Sequence, residues 1–187
     1  MEWTPGGHFR LHLCALGPAP LTASVRRLHM SMELLPYDKF SELRIEQFLP
    51  PEEIFEDDTG MEQTLLGFNR CLHYFSAQHG NIGFFYPDTP PRLLAAIDLS
   101  VQGEFSPDAA QHILSAFAPP LLLGMRAEDV LASFGEPEQD GSRNEYRFFR
   151  FRVGQKWPYR VLCSCAGERG LWSMGIVRED YFVDDED

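Results

Sequence analysis

Four groups of residues have types and spacings that could do chemistry. Cys71, His73 and His79 offer soft and borderline metal ligands, but a structural zinc site needs four, usually as two short-spaced pairs, and no second pair is present. Cys163 and Cys165 are two apart, so a strand would put both thiols on one face. A redox pair would instead be Cys-x-x-Cys at the start of a helix, and packing is the expected role. The run Glu52, Glu53, Glu56, Asp57 and Asp58 has enough carboxylates for calcium but lacks the alternating ligand spacing and central glycine of a calcium loop. It reads as a solvated acidic loop available to a basic partner. Finally, Tyr146, Phe148, Arg150 and Arg152 alternate with Phe149, Phe151 and Val153. One face of that strand must enter the core, and the other would form a strip, continued by Trp157 and Tyr159, with the composition of an interface centre.

Catalytic signatures are absent from the sequence. It contains no Gly-x-Ser-x-Gly elbow, no phosphate-cradling Gly-x-x-x-x-Gly-Lys loop and no His-Glu-x-x-His helix. The expectation is a protein that is not an enzyme and needs no cofactor. A small hydrolase using a cysteine and one of the six histidines is the alternative from a different class, because such groups assemble in space rather than in sequence.

Charge narrows the partner. The 187 residues include 28 Asp and Glu against 16 Lys and Arg, a net charge of −12. Nucleic-acid binding relies on basic side chains that displace counterions from phosphates, so a nucleic-acid partner is not expected. An acidic surface suits attraction to a basic protein. No apolar window reaches the length of about 18 residues that a membrane span requires. The first seven residues carry Glu2 and no basic residue, unlike an export signal, and Cys14 lacks the small residues that precede a lipid-attachment cysteine. With four cysteines in apolar or strand-like settings, a cytoplasmic location is expected.

The elements that must position these groups follow from periodicity and punctuation. Alternation predicts strands over 9–15 and 28–34, and residues 43–48 read as a strand or a short helix ended by Pro50-Pro51. Apolar runs at 65–75, 82–86 and 93–99 read as a meander. Ser106-Pro107 starts a helix whose apolar face is Ala110, Ile113, Leu114 and Phe117. A second helix carries Ala127, Val130, Leu131 and Phe134, ending at Gly135 and Pro137. After a turn at Asp140-Gly141, strands over 146–153, 159–165 and 171–177 complete a three-stranded meander, followed by an acidic tail at 184–187. The expected fold is α+β, with antiparallel sheets and short helices packed on one face, in two sub-domains: a mainly β one over 1–105 and an α+β one over 106–187.

The stretch from Gly124-Met125 through Val130 to Gly135-Glu136-Pro137, with Tyr146 on the next strand, resembles the repeat unit of the outer-membrane assembly lipoprotein BamE and of β-lactamase inhibitor protein. That unit reads Gly-Met-Thr-x-x-x-Val-x-x-x-Leu-Gly-x-Pro before an aromatic-bearing strand. The resemblance covers about a third of the chain and implies a packing solution, a short helix on an antiparallel sheet, more than an activity. The first 100 residues do not repeat the pattern, so no tandem repeat is read from it. In character the chain also resembles the immunity proteins that neutralise interbacterial toxins. Together these features lead to the expectation of an acidic immunity protein covering the active site of a basic, nuclease-type toxin. Glu52, Glu53, Glu56, Asp57 and Asp58 would steer encounter, and Tyr146, Phe148, Arg150, Trp157 and Tyr159 would hold the complex. An effector-loading chaperone or adaptor is the alternative within the same class.

Overall fold

Eight strands form one antiparallel sheet in the order β1-β2-β3-β4-β8-β7-β6-β5. The computed structural model describes residues 32–57, 71–76, 82–87, 90–100, 108–117 and 121–181, with Asp57 and residues 71–76 described by backbone alone. The strands are β1 (Phe55–Asp57), β2 (Cys71–Ser76), β3 (Ile82–Pro87), β4 (Ala96–Ser100), β5 (Gln139–Arg143), β6 (Tyr146–Val153), β7 (Tyr159–Ala166) and β8 (Gly170–Arg178). The helices are α1 (Tyr37–Glu42), α2 (Asp108–Ala116) and α3 (Ala127–Phe134), with 3₁₀ turns at Ile45–Gln47 and Pro51–Glu53. The α+β reading therefore holds.

The topology has a two-part plan that the sequence does not display. Each half consists of a helical segment followed by a four-stranded antiparallel meander, and the last strands of the two meanders, β4 and β8, pair antiparallel from Ala96↔Val177 to Ser100↔Ser173. One sheet thus runs through both expected sub-domains, and the body over Ser31–Asp187 is a single compact unit. The expected boundary near 105 falls outside the described residues.

Helices cover one face of this sheet. Alternate residues of five adjacent strands, among them Phe84, Ile97, Ile176, Val161 and Phe151, share the core with Phe40 of α1, Ala110, Ile113 and Leu114 of α2, and Val130 of α3. A fully buried aliphatic or aromatic side chain contributes roughly 1.5–3 kcal/mol by transfer from water. The amphipathic faces predicted for α2 and α3 are the ones that pack here. The motif around Gly124 has a structural reason: Gly124 N–H donates to Leu171 O and Leu171 N–H to Met125 O, tying the loop before α3 to the start of β8. A Cβ on Gly170 (φ +67°) would meet Gly124 O at 2.3 Å, so this junction tolerates only glycine.

Several sequence expectations need correction. Met32–Leu34, the described part of the second expected strand, is irregular; residues 9–15 lie outside the described residues. The acidic run is not a plain loop, because Phe55–Asp57 adds to β2 as an edge strand. Asp140-Gly141 is not a turn but the middle of β5, which makes the second meander four-stranded. The turn lies at Asn144-Glu145, where Asn144 takes φ +58°, a conformation that asparagine tolerates and two-residue hairpins require.

Candidate functional site

The sheet's other face carries the unusual chemistry. On β6, Phe149, Phe151 and Val153 point into the core, which leaves Phe148, Arg150 and Arg152 on the opposite face. Register extends that face across the sheet in rows. One row runs Gly83, Asp98, Gly175, Leu162, Arg150 and Gln139 from β3 to β5, and the next runs Ser100, Ser173, Ser164, Phe148 and Gly141. Between them lies a groove of about 570 Å³ lined by Asp98, Arg143, Phe148, Arg150, Leu162 and Trp172, among others.

Three of these residues sit in settings that packing alone would not select. Phe148 is 41% exposed, one of three large apolar side chains left so open among the described residues. Trp172 is placed by a bulge: Cys165 pairs with Leu171 and Ser164 with Ser173, so Trp172 is the extra residue on β8 and its ring stands 5.9 Å from that of Tyr146. Its indole Nε1 is buried without a hydrogen-bond partner, a state that costs on the order of 1–3 kcal/mol. Asp98 is the one charged residue in a strand of apolar or small residues, and its cross-strand neighbours on both sides, Gly83 and Gly175, have no side chains to pair with it. Burial pushes its carboxyl up to about 7, opposed only by a backbone hydrogen bond from Leu99.

The structure divides the expected interface strip. Tyr146 is half-buried and stacked beside Phe148 at 6.3 Å, and Arg150 lines the groove. Tyr159 is not part of the strip: it pairs with Val153, shares the core face and is 0% exposed, with its hydroxyl donating to Leu35 O at 2.6 Å. Trp157 packs against the same core and against Tyr37 at 5.4 Å. Continuing the strip through the β6–β7 turn takes no account of this register, which returns the chain on the opposite face. Arg152, on the groove's side of the sheet, pairs with Glu179 at 3.2 Å.

The acidic run lies elsewhere. Glu52 and Glu56 are exposed and Glu53 half-exposed, Asp57 is in β1, and Asp58 lies outside the described residues. β1 and β6 are six strand spacings apart, roughly 29 Å at 4.8 Å each. A protein partner of ordinary interface size spans about that distance.

The two thiols among the described side chains, Cys163 and Cys165, are poor nucleophiles. Burial raises both, Cys165 to about 11 and Cys163 further, so each stays protonated at neutral pH. His112 packs edge-on against Phe48 at 5.5 Å, and His73 is described only as a backbone position in β2. Among the described residues no group of three His, Cys, Asp or Glu side chains could hold a metal ion, and no helix is long and apolar enough to cross a membrane. Comparison with protein families, with curated proteins and with solved structures finds no match for this chain.

Sequence reasoning missed Asp98 and Trp172. The signal was present: a carboxylate inside Ala95-Ala96-Ile97-Asp98-Leu99, in a strand whose other positions are apolar or small, is either paired or functional. What the sequence could not supply was the register that sets Asp98 between two glycines.

Proposed function

We propose that this chain is a stoichiometric inhibitor of the immunity-protein kind, which binds a basic toxin domain through the groove-bearing face of its sheet and covers the toxin's active site. The observation that carries this reading is the contrast within one sheet: helices seal one face, while the other keeps an exposed phenylalanine, a tryptophan with an unsatisfied N–H and an uncompensated carboxyl around a groove. Large rigid rings at a groove are the usual anchors of a tight interface. The net charge of −12 and the acidic β1 edge favour encounter with a cationic protein and raise the association rate, while the ring contacts set the lifetime of the complex. A cytoplasmic location belongs to this reading, supported by the free buried thiols Cys163 and Cys165.

The test is to purify the chain together with any toxin domain encoded in an adjacent reading frame. A 1:1 complex in which the effector's activity is lost is the expected result. A complex in which activity persists would favour the chaperone or adaptor reading, and absence of any complex would reject both.

A further inference from the structure

We propose that the Asp98 end of the groove is a receptor for one basic side chain, arginine or lysine, whose stem lies along Leu162 and the Trp172 indole and whose cationic head pairs with the Asp98 carboxylate. The proposal rests on the inhibitor reading only in taking the basic side chain to come from a protein partner; the pocket itself is read from this chain.

Several independent features converge on it. Position 98 is flanked on the same face by Gly83 and Gly175, so neither adjacent strand supplies a side chain to occupy the space beside the carboxyl. The charged residues lining the groove are Asp98, Arg143 and Arg150. Arg150 is three strands away and Arg143 four, roughly 14 Å or more between backbones at about 4.8 Å per strand, so neither stands beside Asp98 in the register. Elsewhere in the same sheet a buried ionisable group is treated differently. Arg178 is matched by Asp180 at 2.7 Å and Ser41 at 2.7 Å, and is sandwiched between the rings of Tyr37 and Tyr181 at 4.4 and 4.8 Å. Asp98 is partly buried, accepts a backbone hydrogen bond from Leu99 and has no cationic partner among the described residues. Its missing counterpart is a cation able to enter a mostly apolar groove, which an arginine or lysine does by laying its methylenes on apolar surface. A guanidinium is the better fit because its flat face also stacks on indole.

The full chain can be tested without any toxin, using N-acetyl-arginine amide as the probe and N-acetyl-citrulline amide, its uncharged isostere, as the control. The nuclear magnetic resonance signals of the Trp172 indole N–H and the Asp98 carboxyl carbon are followed during titration. The arginine probe should shift both saturably at pH 8, should bind at least about tenfold more weakly at pH 5.5, where Asp98 is protonated, and should lower the pH midpoint of the Asp98 carboxyl. The citrulline probe should shift neither, and Asp98→Asn should abolish the arginine response while the chain stays folded. An equal response to citrulline, or an arginine response that survives Asp98→Asn, would overturn the proposal. Because the effector is absent, a chain that takes the arginine probe but fails to silence the effector would reject inhibition and keep the pocket.

Discussion

The two faces of the sheet obey different rules. On the helix-covered face, side chains such as Phe84, Ile97, Val161, Phe151 and Ile176 are 0–1% exposed, and even the charged Arg178 at the end of β8 has its partners in place. On the groove face, among the described residues, Asp98 has no cation beside it, the Trp172 N–H has no acceptor, and Phe148 meets solvent. Local choices that agree with the fold mark positions kept for stability. Choices that work against it, on a rigid scaffold, mark positions kept for something else. The same strands supply residues to both faces, and the groove face is itself part apolar core where Phe85, Ala96 and Val177 are buried.

The sharpest way to break this comparison is to mutate neighbours in β6. Phe151→Ala should cost about 3–5 kcal/mol in unfolding free energy, because it empties a filled site beside Phe134 and Phe149. Chemical denaturation measures this. Phe148→Ala, on the opposite face of β6, should change stability by no more than about 0.5 kcal/mol.

Asp98 gives the next largest effect, and its sign is the unusual one. Its folded-state value, about 7, lies above the ordinary carboxylate value. Between about pH 4 and 7 the unfolded chain is therefore ionised while the folded chain keeps its proton, and stability falls as pH rises through that window. Asp98→Asn should accordingly stabilise the protein at pH 8, by up to about 4 kcal/mol, and leave it nearly unchanged at pH 4. Thermal unfolding at the two pH values checks this, and a destabilised variant at pH 8 would show that the carboxylate is compensated after all.

Much of the core face was legible from sequence. Period-two alternation places Phe149, Phe151 and Val153 inward, and the 3.6-residue period places the apolar faces of α2 and α3, with Gly135 ending the latter; the expected Ser106-Pro107 start of α2 lies outside the described residues. These signals are local. The groove was not legible, because it is made by register across five strands: Asp98 becomes conspicuous only once Gly83 and Gly175 lie beside it, and Trp172 only once the β7–β8 bulge turns it outward. The misplacement of Tyr159 has the same origin, since the direction a strand faces after a turn depends on pairing that composition does not encode. In the acidic run Glu52 and Glu56 are exposed, and pairing with β2 makes Phe55–Asp57 an edge strand, which composition alone does not encode.

A smaller effect separates steering from holding. Neutralising Glu52 and Glu56 together, each to Gln, should slow association with a basic partner only a few-fold and flatten its salt dependence, with little change in dissociation rate. Stopped-flow mixing at two ionic strengths distinguishes the two.

The most direct measurement compares two exposed apolar residues on different parts of the surface. Phe148 (41% exposed) lies at the groove, and Leu122 (59% exposed) lies in the loop between α2 and α3. Calorimetric titration of the proposed toxin partner against Phe148→Ala and Leu122→Ala should show at least a tenfold loss of affinity for the first, about 1.4 kcal/mol, and none for the second. Equal affinities for both variants, or a loss confined to Leu122→Ala, would contradict docking on the groove face.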